Sequence, residues 1–325
     1  MSTSDLLGML QDMASPENRR CVAEYINAHE SEFRELLTSL FERSTVPAEV
    51  KLQLMNIVDL LSEQNTVAFL ECAISDTDSV VRVQGLQATY RTRTESLNKR
   101  IVSIMRDQHA CFEERKWAIH ILASTDPERY GKGIREIVRD CSEPAEIRKE
   151  AIFSLTCLHD TESLGLLCGV LGDPSVEIRQ SGAWALSKIG SPETVNCLFS
   201  AMEDPDGVVR DWAIRGLRDM DDTKALHGLA KAIVRAEPED QVRLIRLVVE
   251  RRSEVVLRAI AQVLNSHDVR VRREAAWAMA VSPYPPASSS LEALLEDEDE
   301  DVRKYAQAAL TRIGKGDVNE GGFLF

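Results

Sequence analysis

Apolar and polar positions follow a helical period along this chain, and the same stripe returns about every 31 residues. In residues 173–186, DPSVEIRQSGAWAL, the side chains of Ile178, Gly182, Ala185 and Leu186 share one face. Asp173 reads as the N-cap of that helix and Pro174 as its first residue, where a missing N–H is harmless. An apolar residue, then Arg or Lys, then a small residue three positions later recurs in full or in part. The basic anchors are Arg20, Lys51, Arg82, Arg115, Arg148, Arg179, Arg210, Arg243, Arg272 and Arg303, separated by 31, 31, 33, 33, 31, 31, 33, 29 and 31 residues. Ala or Gly stands at +3 in eight of the ten units, where a small side chain lets a neighbouring helix approach closely. Leu122, Leu155, Leu186, Leu217, Met279 and Leu310 continue the stripe at +7.

Second apolar helical patterns such as SPETVNCLFSAMED lie between the anchor helices, with Gly-Ser-Pro or Asp-Thr-Glu at the turns. Each unit is therefore two antiparallel helices, and neither buries its apolar face alone, so the units stack. The pattern predicts an all-α fold, an α-solenoid of about ten stacked antiparallel helix pairs spanning residues 1–314, with 1–45 as an N-terminal cap region. The fit is weakest in the first unit and in the eighth, where Arg246 and Glu250 occupy expected core positions, and SPYPPASSS (282–290) makes a long turn.

The stretch DPSVEIRQSGAWALSKIGSPETVNCLFSAMEDPDGVVRDWAIRGL resembles HEAT repeats of the short phycobilisome-lyase-like type. The resemblance is specific over residues 140–220, good over 268–313 and looser elsewhere. It implies a concave surface lined by the second helix of each pair. It also implies a structural ladder between repeats, carried here to Arg179, Arg210, Arg272 and Arg303 with Asp173, Asp206, Asp268 and Asp299 as the turn acids. Such repeats occur in lyases, adaptors and assembly factors alike, so the resemblance leaves activity open.

Trp184 is off the buried stripe, roughly 145° from its centre at 100° per residue. At the same offset from their anchors stand His120, Phe153, Arg215 and Trp277. With neighbouring helices about 8–10 Å apart, His120, Phe153 and Trp184 are expected to form a row along the groove. Trp117, Trp212 and Tyr305, at +2, are expected to be flank packing. Positions +1, +5, +8 and +9 carry eleven basic residues, Lys149, Lys188, Arg215, Arg218, Arg252 and Arg273 among them, against Asp59, Asp211 and Asp219. That predicts a basic face on a chain whose net charge is −14.

A 44% hydrophobic content with only 5% aromatics suits close helix packing. The N-terminus has no basic segment followed by an apolar core, and no run of 18 apolar residues occurs, so a cytoplasmic location away from membranes is expected. Seven cysteines without a C-x-x-C pair are expected to be reduced. Protease, phosphate-loop, hydrolase and dinucleotide motifs do not occur, so no catalytic residue and no cofactor is assigned. The acidic run EDEDED (296–301) lacks a calcium loop's spacing and reads as a solvated turn, leaving no metal site. Residues 315–325 read as a flexible tail whose apolar end, Phe323, Leu324 and Phe325, is a candidate docking peptide. These features favour a non-enzymatic scaffold, adaptor or assembly factor that holds a partner protein or peptide, with an acidic surface, in a basic, aromatic-lined groove. Bilin handling of the lyase type and single-stranded nucleic-acid binding are the alternatives.

Overall fold

The computed structural model describes residues 15–42, 48–158 and 161–315. The tail residues Phe323, Leu324 and Phe325 lie outside the described residues. Among the described residues there are nineteen α-helices, seven short 3-10 turns and no strand. The all-α solenoid expected from the stripe is the observed fold. None of these helices is long and apolar enough to cross a membrane.

The chain divides into two compact units, one ending at Leu158 and the other beginning at His159. The first contains α1 (Pro16–Ala28), α2 (Glu30–Glu42), α3 (Ala48–Leu54), α4 (Glu63–Ala73), α5 (Ser79–Thr92), α6 (Asn98–Arg106), α7 (Phe112–Thr125), α8 (Pro127–Arg139) and α9 (Ala145–Leu155). The second contains α10 (Thr161–Val170), α11 (Val176–Ile189), α12 (Val195–Ala201), α13 (Gly207–Asp219), α14 (Thr223–Arg235), α15 (Pro238–Val248), α16 (Glu254–Gln262), α17 (Val269–Val281), α18 (Ser288–Ala293) and α19 (Glu300–Gly314). The ten anchors fall one to each odd-numbered helix. In the first unit α5 packs on α7 and α7 on α9; in the second α11, α13, α15, α17 and α19 pack in succession. The predicted stripe is the core. Ala118, Leu122, Ala151 and Leu155 in the first unit, and Ile178, Leu186, Ala213, Leu217, Ala275 and Met279 in the second, are buried. Each buried Leu or Met contributes about 1.5–3 kcal/mol of transfer free energy.

The ladder exists, but its acids stand two residues earlier than expected. Arg179 donates from Nε and Nη2 to the two carboxylate oxygens of Asp204 at 2.8 and 3.1 Å, and from Nη1 to the carbonyl of Asp173 at 3.1 Å. Arg272 does the same with Asp297, at 2.7 and 3.1 Å, and with the carbonyl of Ser266 at 3.0 Å. Arg210 and Arg303 donate to the carbonyls of Asp204 and Asp297, both at 2.7 Å. The matched acids Asp206, Asp268 and Asp299 are N-caps instead, accepting backbone N–H groups of α13, α17 and α19. The turn therefore carries two acids, the first (Asp204, Asp297) clamping the previous anchor arginine and the second (Asp206, Asp299) capping its own helix. Asp173 is likewise not the cap of α11: it accepts the N–H of Ser175 at 2.9 Å, and the helix begins at Val176 after Ser175.

The eighth repeat is in a different register from the one its arginine suggests. Gln241 is buried and donates to the carbonyl of Ile233 at 2.9 Å, while Leu244, Ile245 and Val248 fill the core positions. Arg246 and Glu250 point outward, and Arg246 pairs with Glu274 at 2.8 Å. With Gln241 as the anchor, the distances to Arg210 and Arg272 both become 31 residues, and the apparent 33 and 29 disappear. The long turn at 282–290 is shorter than it reads, because Pro285–Ala287 forms a 3-10 turn and α18 starts at Ser288.

Cysteine usage also departs from expectation. Cys168 on α10 and Cys197 on α12 form a disulfide, whereas Cys21, Cys72, Cys111, Cys141 and Cys157 are not disulfide-bonded. The two cysteines lie on helices of successive repeats, a proximity that linear spacing does not reveal. Thiol titration of the denatured, unreduced chain is expected to count five reactive groups, and seven after reduction. Seven without reductant would remove the crosslink.

Candidate functional site

The first unit carries a row of rings across its odd helices. Tyr90 on α5 lies 5.7 Å from Trp117 on α7, centroid to centroid; Trp117 is 6.0 Å from His120, and His120 is 5.9 Å from Phe153 on α9. Tyr90 and Phe153 are 45% and 49% exposed, so large apolar surface meets solvent here instead of the core. Lys116 places its ammonium 5.5 Å from the Phe112 centroid and 5.9 Å from that of Trp117. These spacings suit edge-to-face ring pairs and a cation over a ring face. His120 and Phe153 were expected in this row. Tyr90 occupies a +8 groove position and was readable from the same wheel. Trp117, expected on the flank, joins the row because its ring extends to both neighbours.

In the second unit Trp184 and Trp277 are half-buried. Trp212 is covered by two cations, Lys188 Nζ and the Arg215 guanidinium each standing 5.8 Å from its centroid. Lys188 and Arg252 are exposed, and Arg252 closes the turn after α15 with φ of 52°. Lys149 is half-buried on α9 of the first unit.

The predicted charge excess is smaller than the wheel suggests, because carboxylates on the same helix or on the next repeat meet many of these cations. His120 Nε2 lies 3.0 Å from Glu150, and Lys116 pairs with Glu113 at 2.6 Å. Arg218 pairs with Asp219 at 2.6 Å and donates to the carbonyl of Leu247 at 3.0 Å. Hydrogen bonding to Asp219 raises the Arg218 pKa. Arg273 reaches Asp299 at 2.5 Å and Asp301 at 3.5 Å, and the Asp299 bond raises its pKa as well. The acidic run 296–301 is thus largely engaged: Asp297 clamps Arg272 while Asp299 and Asp301 face Arg273. Lys188 and Arg215 are the cations that instead face a ring.

Repeated helix pairs that present aromatic and guanidinium groups on successive odd helices define a helical-repeat solenoid. The chain belongs to the HEAT-repeat family: the HEAT repeats model matches residues 131–218 and 226–311, more than half of the sequence. No curated protein sequence matches it. Among solved structures, yeast importin-β (Kap95p) is 12% identical, with 96% of this chain and 51% of that chain covered at a TM-score of 0.58. The Kap95:Nup1 complex gives 10% identity, the same 96% and 51% coverage, and a TM-score of 0.60. Importin beta from an ammonium sulfate condition gives 12% identity, 97% and 51% coverage, and a TM-score of 0.53. The chain spans about half the length of these structures, and at such identities the likeness concerns the fold alone.

Proposed function

We propose that this chain is a non-enzymatic scaffold or assembly factor that binds a partner protein through the exposed rings of its odd helices. The observation that carries this reading is the continuous row Tyr90–Trp117–His120–Phe153 on three successive repeats, with Tyr90 and Phe153 exposed at its two ends. Aromatic anchors of this kind supply about 2 kcal/mol or more each when a partner desolvates them. Lys188, Arg215 and Arg252 support an acidic partner surface, with Lys188 and Arg215 each standing 5.8 Å from the Trp212 ring centroid. One of the similar structures is a complex of Kap95 with Nup1, which makes protein binding a natural use of the same fold. The Asp-Pro turn at 173–174 and the unit of about 31 residues support the short, phycobilisome-lyase-like repeat subtype.

Affinity capture from the native host, quantified by mass spectrometry, tests the reading with the intact chain and the pair Tyr90→Ala/Phe153→Ala. Both residues are exposed, so the pair is expected to melt near the wild-type temperature. Loss of two anchors predicts that at least one captured protein falls by tenfold or more. An identical captured set for both chains would contradict the proposal.

A further inference from the structure

In the second unit the carboxylate that clamps an anchor arginine comes from 25 residues further along: Arg179 takes Asp204, and Arg272 takes Asp297. Twenty-five residues beyond Arg210, the chain has Arg235. The ladder position that holds a carboxylate in the repeat before, and again two repeats later, therefore holds a cation here. Arg210 keeps its Nη1 bonds to the carbonyls of Asp204 and Pro205, at 2.7 and 3.0 Å. Its Nε is buried and has no hydrogen-bond partner, and it makes no ion pair among the described residues. A buried guanidinium N–H without an acceptor is destabilising, so the site favours any carboxylate that reaches it.

Arg210 and Arg235 line one cleft, formed by α12, α13, α14 and α15, with a volume of about 760 Å3. That lies within the range of about 300–1,000 Å3 typical of ligand clefts. Its floor is apolar, with Phe199, Met202, Ile214 and Leu244, and Lys231 adds a further exposed cation to its wall. The carboxylates at this cleft, Glu203 and Asp240, are both exposed; of its five Lys and Arg side chains Arg243 is paired with Asp211 at 2.7 Å, and the other four still outnumber them. On a chain of net charge −14, this is a local reversal of sign.

We infer that this cleft docks an acidic segment of a partner protein, one carboxylate of which completes the ladder at Arg210 while an adjacent large apolar side chain seats on Phe199, Met202 and Ile214. The inference concerns a surface other than the aromatic row and stands independently of it. A planar guanidinium recognises a carboxylate through paired N–H donors, which Arg179 and Arg272 already display toward Asp204 and Asp297. The apolar floor selects acidic segments that also carry a Leu or Phe.

The probe is a capped hexapeptide with Leu-Phe at its centre and acidic residues on both sides, titrated into the full chain. Two-dimensional nitrogen–proton spectra follow the Arg210 Nε–H resonance, assigned by its loss in Arg210→Lys. Saturable binding that shifts this resonance is expected, with at least tenfold weaker binding when Lys replaces the acidic residues of the peptide or Ala replaces its Leu-Phe. Arg235→Asp restores the ladder carboxylate within the chain. It is expected to raise the melting temperature and to weaken the peptide at least tenfold, whereas Tyr90→Ala/Phe153→Ala leaves binding unchanged. No saturation at about 1 mM peptide, equal binding to Arg235→Asp, or an unmoved Arg210 Nε–H would each overturn the inference.

Discussion

Replacing Asp297 by alanine is expected to destabilise the second unit by about 3 kcal/mol, among the largest single-site effects in the chain. Its side chain is 6% exposed and faces Arg272, itself 13% exposed, so the substitution leaves a mostly buried guanidinium without its clamp. Glu298, 3.5 Å from Arg272 but 86% exposed, replaces the clamp only in part. Arg272→Lys is not expected to rescue the ladder, because a point ammonium cannot reproduce the two-pronged contact. The same pair dictates a pH dependence. The Arg272 hydrogen bond holds the Asp297 carboxyl below its ordinary 3.8. A lowered folded-state pKa means that its contribution is complete above the unfolded value and is lost as pH falls through the folded one. The gap in melting temperature between wild type and Asp297→Asn should therefore be full at pH 7 and shrink below about pH 4. A gap independent of pH down to acid unfolding would show that the carboxylate's charge does not matter.

Gly182→Val is expected to destabilise by a comparable amount, about 3 kcal/mol, by overpacking α11 against α10. A Cβ at residue 182 would lie 2.6 Å from Val170 Cγ1 and 3.3 Å from Val170 Cβ, and Val170 is buried and β-branched. Helix propensity alone predicts the opposite sign, since glycine is the poorer helix former. Adding Val170→Ala should return most of the loss, and thermal melts of the two single variants and the double variant measure that coupling. Additive losses would mean that the close approach of α10 does not explain the glycine.

The small residue at +3 was legible in the sequence because it repeats, and so were the odd helices and the core. What the sequence obscured were features decided between repeats. Val242-Arg243 imitates the anchor pattern, so the eighth repeat reads two residues late until burial assigns the position to Gln241. The Asp-Pro-Asp turn at 204–206 offers two candidate ladder acids, and a pattern alone does not tell the clamp, Asp204, from the cap, Asp206. Charge on one helix wheel likewise omits its neighbours: Glu150 is 30 residues from His120, yet their side chains meet at 3.0 Å. The aromatic row was partly legible because His120 and Phe153 keep one offset, whereas Trp117 enters it through ring size and tilt, which an offset does not encode.

The aromatic row is proposed as a partner surface and not packing. Hydroxyl-radical footprinting, read residue by residue in the free chain and in complex with a captured partner, tests it most directly. Tyr90, Phe112 and Phe153 are 45%, 40% and 49% exposed, while Phe69 is fully buried and serves as the internal reference. Rapid oxidation of the three exposed rings and none at Phe69 is expected in the free chain, with Tyr90 and Phe153 protected in the complex. Unchanged reactivity of Tyr90 and Phe153 in a demonstrably formed complex would contradict it.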